Sequence, residues 1–129
     1  MNIVQERPQQ LEERTIDFAV SVISFCKGLP QSPENKIISN QLIRSATSIG
    51  ANYTEANNAA SRIDFRNKIY ICKKEASESR YWLKVLTKTN SNLQTSELID
   101  EISQLIFILQ KIVSTMKIGK CKINEKCKK

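Results

Sequence analysis

Six basic residues on one predicted helix are the clearest candidates for chemistry in this sequence. With Phe65 set to zero and about 100° of rotation per residue, they fall between roughly 60° and 140° around the helix axis. Asp64, Glu75 and Glu78 fall on the other flank, at roughly 220–280°. A one-sided row of cations about 39 Å long is typical of a surface that contacts phosphates. This row, the basic ridge, consists of Arg62, Arg66, Lys73, Arg80, Lys84 and Lys88.

The ridge has a second interpretation that the sequence leaves open. Its cations could form a solvated face, or they could pair with acidic side chains of the first helix, namely Glu12, Glu13 and Asp17. Tyr70 and Tyr81 are assigned to the acidic side of the helix, so we expect little aromatic interleaving with the ridge.

The net charge of the chain is concentrated near its carboxyl end. Residues 111–129 contain seven lysines and one glutamate, a net of +6, so the other 110 residues carry only +1 of the chain's +7. We expect residues 119–129 to form a basic, disordered tail. In that tail, Lys120 and Lys122 are predicted to add to a nucleic-acid-binding surface.

A polar stripe borders the apolar face of the second predicted helix. Arg44 and Glu55 lie about 16 Å apart along the axis, too far to pair with each other. We therefore expect each to have a partner on a neighbouring helix or subunit, and we assign the stripe a structural role. Its members are Gln41, Arg44, Ser48, Asn52 and Glu55.

Several kinds of active site are excluded by composition. The chain has no histidine, so Ser-His-Asp and Cys-His arrangements and histidine-containing zinc sites are impossible. Its three glycines are far apart and form no phosphate-binding loop. Cys121 and Cys127 are spaced poorly for zinc, while Cys26 and Cys72 lie near core positions and are expected to be reduced. We therefore expect no catalysis, cofactor or metal.

Four segments with helical periodicity must position these side chains. With only three glycines and three prolines, and with short connections, the sequence predicts an all-α, antiparallel up-down-up-down four-helix bundle over residues 10–118. Residues 1–9 form a predicted N-terminal arm. Small residues in the middle of the second and third helices predict a close approach of their axes.

Capping residues set the expected helix ends. Ser32 and Ser61 are typical N-caps of the second and third helices. Gly28, in a left-handed conformation, and Gly119 are expected to end the first and fourth helices. Gly50 lies inside the second helix and indicates a bend or a close helix contact.

The fourth helix has more apolar surface than one core needs. The surplus could be buried inside a single bundle, but we favour an interface between identical subunits. The residues predicted to form this oligomer face are Ile99, Ile106, Phe107 and Val113.

Targeting and membrane signals are lacking in the sequence. Residues 1–10 are polar, and the longest apolar run, residues 105–109, is far shorter than the roughly 18 residues that span a bilayer. We expect no signal peptide, no membrane association and a cytoplasmic location.

The run from Gln41 to Ala56, QLIRSATSIGANYTEA, resembles the signature of a bacterial four-helix-bundle family whose genes were first noticed in intervening sequences of large-subunit ribosomal RNA genes. The stretch from Asp64 to Leu83 is similar to the family's third helix. The family often has proline in place of Gly50 and glycine in place of Ala56. The resemblance implies a homopentameric barrel with a basic surface and no enzymatic activity. It also implies distant kinship with accessory variability proteins of diversity-generating retroelements, which bind a reverse transcriptase and nucleic acid.

Together these features predict a non-catalytic homo-oligomer that binds nucleic acid, RNA in particular, through the basic ridge. The alternative is a protein-interaction scaffold, for example for a nucleic-acid enzyme, that does not itself bind nucleic acid.

Overall fold

Four helices make up the chain in the computed structural model. The structure describes the backbone of residues 7–127 and the side chains of residues 7–116. No strand occurs within the described backbone, so the all-α four-helix prediction is confirmed. The helices are α1 (Pro8–Lys27), α2 (Pro33–Asn57), α3 (Arg62–Thr89) and α4 (Ser96–Cys127).

The predicted N-caps form as expected. The hydroxyl of Ser32 accepts a hydrogen bond from the backbone N–H of Asn35 at 3.0 Å, and Ser61 accepts one from Asp64 at 3.0 Å. Each cap satisfies a backbone donor that the first turn of a helix leaves unpaired. Helix α1 begins at Pro8, slightly earlier than predicted, because proline has the dihedral angle of a first helical residue and no N–H to satisfy.

The predicted end of α1 at Gly28 is confirmed but its left-handed conformation is wrong, and the predicted end of α4 at Gly119 is wrong. Gly28 has φ −89° and ψ −1°, because its N–H and that of Leu29 close the last turn with three-residue hydrogen bonds to Phe25 and Cys26. Helix α4 continues through Gly119 to Cys127. A helical glycine costs only about 1 kcal/mol relative to alanine, and helix-forming neighbours offset that cost. A separate tail over residues 119–129 stays a prediction.

The closest helix pair in the bundle is α2 and α3. The hydroxyl groups of Ser45 and Ser79 lie 2.8 Å apart in the core, and the thiol of Cys72 donates to the carbonyl of Ile49 at 3.4 Å. All four residues are buried. Side chains as short as serine and cysteine reach across to the other helix only when the two helix axes lie close together. The close approach of α2 and α3 that the small residues predict is therefore confirmed. The pairs also run in opposite directions along the two helices, as an up-down bundle requires.

Gly50 marks a close contact between α2 and α1. A methyl group built on its Cα would lie 2.8 Å from Oγ1 and 3.3 Å from Cβ of Thr15. Thr15 is fully buried, and its hydroxyl donates to the carbonyl of Glu12 at 2.6 Å. Of the two sequence-based alternatives, bend or close contact, the structure supports the contact.

Candidate nucleic-acid interface

The six cations of the basic ridge all lie on α3. None of the six forms an ion pair among the side chains of residues 7–116. The proposed pairing with α1 carboxylates does not occur within those residues, and Glu12 instead accepts from Thr54 at 3.3 Å. The six ridge cations are therefore without an ion-pair partner among the described side chains.

Other cations of the same bundle are paired across helices. Arg14 on α1 lies 2.7 Å from Glu101 on α4, and Lys68 on α3 lies 2.5 Å from Glu55 on α2. Arg44 on α2 contacts two carboxylates of α3. The four carboxylates that form ion pairs within residues 7–116 therefore join helices, and none of them contacts the ridge.

The ridge has an inner row and an outer row. Arg66, Lys73 and Arg80, the inner row, are half-buried, whereas Arg62, Lys84 and Lys88, the outer row, are exposed. Within the inner row, Arg80 reaches α4, where it donates to the hydroxyl of Ser103 at 3.3 Å. The outer row is free to contact a ligand without repacking.

An aromatic ring belongs to the ridge after all. The guanidinium carbon of Arg66 lies 5.4 Å from the centre of the Tyr70 ring, a cation–π contact. The assignment of Tyr70 to the acidic side was wrong, because residues four apart on a helix share a face. Tyr81 instead packs edge-to-face against Trp82, with ring centres 4.9 Å apart.

The polar stripe of α2 joins α2 to α3, as predicted for Arg44 and Glu55. Arg44 lies 3.2 Å from Glu75 and 2.5 Å from Glu78. The indole N–H of Trp82 donates to Glu78 at 3.0 Å. This hydrogen bond, followed by that from Arg44, lowers the pKa of Glu78. The bond to Glu78 in turn raises the pKa of Arg44. The cluster acts as a link between helices.

The other stripe residues have local roles. The Asn52 amide donates to the carbonyl of Ser48 at 2.9 Å within α2, and Gln41 is exposed. These side chains support their own helix or face solvent, which fits the structural role assigned to the stripe.

The predicted oligomer face on α4 is largely absorbed by the bundle's own core. Val113 is only 1% exposed, so assigning it to a subunit interface was wrong. Ile99 and Ile106 are half-buried against the same core. Only Phe107 is exposed, at 51%, with the Lys111 ammonium 5.7 Å from its ring centre. Because α4 packs against both α1 and α3, it buries more of its circumference inside the bundle than a single core stripe would.

The predicted lysines near the carboxyl end and the cysteines complete the set of residues that the sequence singles out. The side chains of Lys120 and Lys122 lie outside the described residues. Cys26 and Cys72 are free thiols, and burial raises the pKa of Cys72 to about 12. Within residues 7–116, no group of three potential metal ligands comes together. No described helix is both long and apolar enough to cross a bilayer.

Comparisons with known proteins agree with the sequence resemblance. A crystal structure of a protein with unknown function from the S23 ribosomal protein family of Bacteroides thetaiotaomicron VPI-5482 is 35% identical to this chain. The match covers 83% of this chain and 97% of that one, with a TM-score of 0.74. No curated protein matches the chain. The profile of the 23S rRNA-intervening sequence proteins matches residues 8–114, most of the bundle. The chain therefore belongs to the family of 23S rRNA-intervening sequence proteins.

Proposed function

We propose that the protein is a non-catalytic, cytoplasmic bundle that binds nucleic acid, RNA in particular, through the basic ridge of α3. The observation that carries this proposal is the absence of carboxylate partners for all six ridge cations within residues 7–116, in a bundle that pairs Arg14, Arg44 and Lys68 across helices. Unpaired cations in a row keep their full attraction for the phosphates of a polynucleotide.

The family suggests which nucleic acid to test first. Its description refers to 23S rRNA intervening sequences, and the similar Bacteroides protein is assigned to a ribosomal protein family. Structured fragments of 23S rRNA, including an intervening sequence, are therefore the first probes. Unrelated RNA and DNA of equal length measure how much of the binding depends on charge alone.

Two double variants with the same change in charge test the ridge. Lys84→Glu/Lys88→Glu reverses two outer cations of the ridge, and Lys27→Glu/Lys36→Glu reverses two exposed lysines of α1 and α2. Each pair includes one lysine in the last turn of its helix, so the loss of dipole stabilisation is matched.

The expected result is a loss of affinity confined to the ridge variant. Removing two phosphate contacts lowers the slope of log affinity against log salt by about 1.4 for a single strand and about 1.8 for a duplex. An electrophoretic or anisotropy titration from low to moderate salt measures this slope. Equal weakening by both variants, or no salt-sensitive binding by the unaltered protein, contradicts the proposal.

We also propose that the protein is a homo-oligomer, with five subunits as the resemblance implies. With Val113 buried, the exposed apolar surface of α1 is the better candidate face: Ile16 is 45% exposed and Val20 59%. Val20→Glu is expected to reduce the mass in solution to that of one chain, while Phe107→Glu on α4 leaves it unchanged. If Phe107→Glu instead gives a single chain and Val20→Glu does not, the interface lies on α4. If the unaltered protein is itself a monomer, the proposed oligomer is refuted.

A scaffold without nucleic-acid binding is the alternative, and the half-buried inner row favours it. The Nε atom of Arg66 is buried without a hydrogen-bond partner in the described part of the chain, which suits a protein contact that completes it. Under this alternative, changing Arg66, Lys73 and Arg80 to glutamate disrupts assembly before it affects RNA binding. Circular dichroism of the variant checks that the helices still form.

A further inference from the structure

A cavity lies at the end of the bundle where the ridge begins. It has a volume of about 620 Å³ and opens between the first residues of α1 and α3 and the last turn of α2, against α4. This volume is within the range of pockets that hold small ligands. Its apolar lining consists of Leu11, Tyr53, Phe65, Ile108, Ile112 and Met116.

Two cations stand among the lining residues of this cavity. Arg62 and Lys111 are exposed, and neither forms an ion pair with the carboxylates of residues 7–116. None of the lining residues within 7–116 is acidic, and the other polar lining groups there are the side chains of Asn57 and Thr115. An apolar interior bordered by positive charge suits a flat, apolar group attached to an anion.

The cavity is continuous with the ridge, because Arg62 belongs to both. A polynucleotide whose phosphates follow the ridge toward the start of α3 therefore arrives at the cavity. We propose that the cavity receives one unpaired nucleobase of a single-stranded RNA, while Arg62 and Lys111 contact the adjoining phosphates. This inference rests on the proposed function, and it specifies the class of nucleic acid as one with unpaired bases.

The chemistry of the lining favours an unpaired base over a paired one. Proteins that recognise single strands stack bases on aromatic rings and bind base edges with amides and hydroxyls. Half-buried Phe65 supplies a ring, and exposed Asn57 and Thr115 supply edge contacts. A base inside a duplex is stacked on both faces and must first be extracted, which costs a few kcal/mol in general. The cavity is therefore expected to distinguish single-stranded RNA from duplex RNA, which the ridge alone does not do.

A variant that fills the cavity separates it from the ridge. Asn57→Trp places an indole at a lining position, and Asn58→Trp places the same group on the next residue, which is also exposed but does not line the cavity. Thermal unfolding of both variants checks that each folds. The probes are a 12-nucleotide single-stranded RNA without self-complementarity and the blunt duplex of the same sequence.

We expect the unaltered protein to bind the single strand about tenfold more tightly than the duplex, in line with the worth of one stacked base. Asn57→Trp is expected to remove this preference and to leave duplex affinity unchanged, whereas Asn58→Trp preserves both affinities. Equal affinity of the unaltered protein for the two RNAs, or identical behaviour of the two variants, overturns the inference while the ridge proposal stands.

A separate measurement tests the cavity if neither RNA binds, a result that refutes the proposed function. Adenosine 5′-monophosphate is titrated into the protein with detection by NMR. Binding that is lost in Asn57→Trp and kept in Asn58→Trp supports a nucleotide cavity without the ridge. Failure of the nucleotide to bind, or binding of decanoate at this site in its place, overturns the inference because the cavity then accepts no base.

Discussion

The contact between Gly50 and Thr15 leads to a quantitative prediction about stability. In most exposed helix positions, replacing glycine with alanine stabilises by about 1 kcal/mol. In Gly50→Ala the new Cβ would lie 2.8 Å from the Thr15 hydroxyl and 3.3 Å from its Cβ, closer than van der Waals contact. Rotating the threonine away gives up its 2.6 Å hydrogen bond to the Glu12 carbonyl. The substitution therefore overpacks a buried contact.

Overpacking destabilises the variant and the higher helix propensity of alanine stabilises it, so the larger of the two free energies decides the sign. Overpacking a well-packed core costs about 1–3 kcal/mol, against a helix-propensity gain of about 1 kcal/mol. We expect Gly50→Ala to lower the free energy of unfolding by about 1 kcal/mol, or the melting temperature by roughly 4 °C. The opposite change at the adjacent exposed position, Ala51→Gly, measures the propensity effect alone in the same helix.

A double-mutant cycle isolates the contact. In a Thr15→Ala background the 2.8 Å approach is gone, so Gly50→Ala should be neutral or stabilising there, with a coupling of about 1–2 kcal/mol between the two sites. Urea unfolding of the four proteins measures it. Coupling near zero, or stabilisation by Gly50→Ala in the unaltered background, would refute the reasoning that α1 and α2 are held at this distance.

Three further predictions concern titration, reactivity and charge. The pKa of Glu78 is lowered by Trp82 and by its guanidinium partner on α2, so its ionised form stabilises the fold above the unfolded-state pKa. This contribution is lost as pH falls from about 5 through the lowered pKa. In Glu78→Gln, the free energy of unfolding measured with urea should therefore depend less on pH over that range. At pH 8, Cys72, with a pKa raised to about 12, should resist alkylation, while half-buried Cys26 reacts before it, as peptide mapping by mass spectrometry will show. Lys84→Glu should raise the melting temperature and weaken RNA binding.

The capped helix starts were predictable from the sequence, whereas the conformation of Gly28 and the end of α4 were not. The N-caps Ser32 and Ser61 act through a local hydrogen bond to a residue three positions later, so the sequence contains all the information needed. A glycine ends a helix only if the chain then turns to bury something else. At Gly28 that depends on the burial of Leu29, and at Gly119 the helix simply continues.

The sequence was enough to predict where the ridge cations lie along α3, but not whether they form ion pairs. The angular spacing of residues on α3 is enough to place six cations on one flank. Whether a carboxylate reaches them depends on neighbouring helices, and Glu101 extends toward Arg14 while Glu55 extends toward Lys68. Val113 was misassigned for the same reason, since burial by α4's neighbours is a property of the assembled bundle. The end cavity gave no sequence signal, because its lining comes from all four helices.

The ridge is costly to the free protein, and this cost is itself an argument for a ligand. Arg62 and Arg66, Arg80 and Lys84, and Lys84 and Lys88 are like-charged neighbours four residues apart, each pair destabilising by about 0.2–0.5 kcal/mol. Glutamate at position 84 would replace two repulsions with two attractions and stabilise by about 1 kcal/mol. This unused gain is expected if the ridge binds an anion, because a binding surface is often kept at a cost in stability. If Lys84→Glu stabilises the protein without weakening RNA binding, this explanation fails.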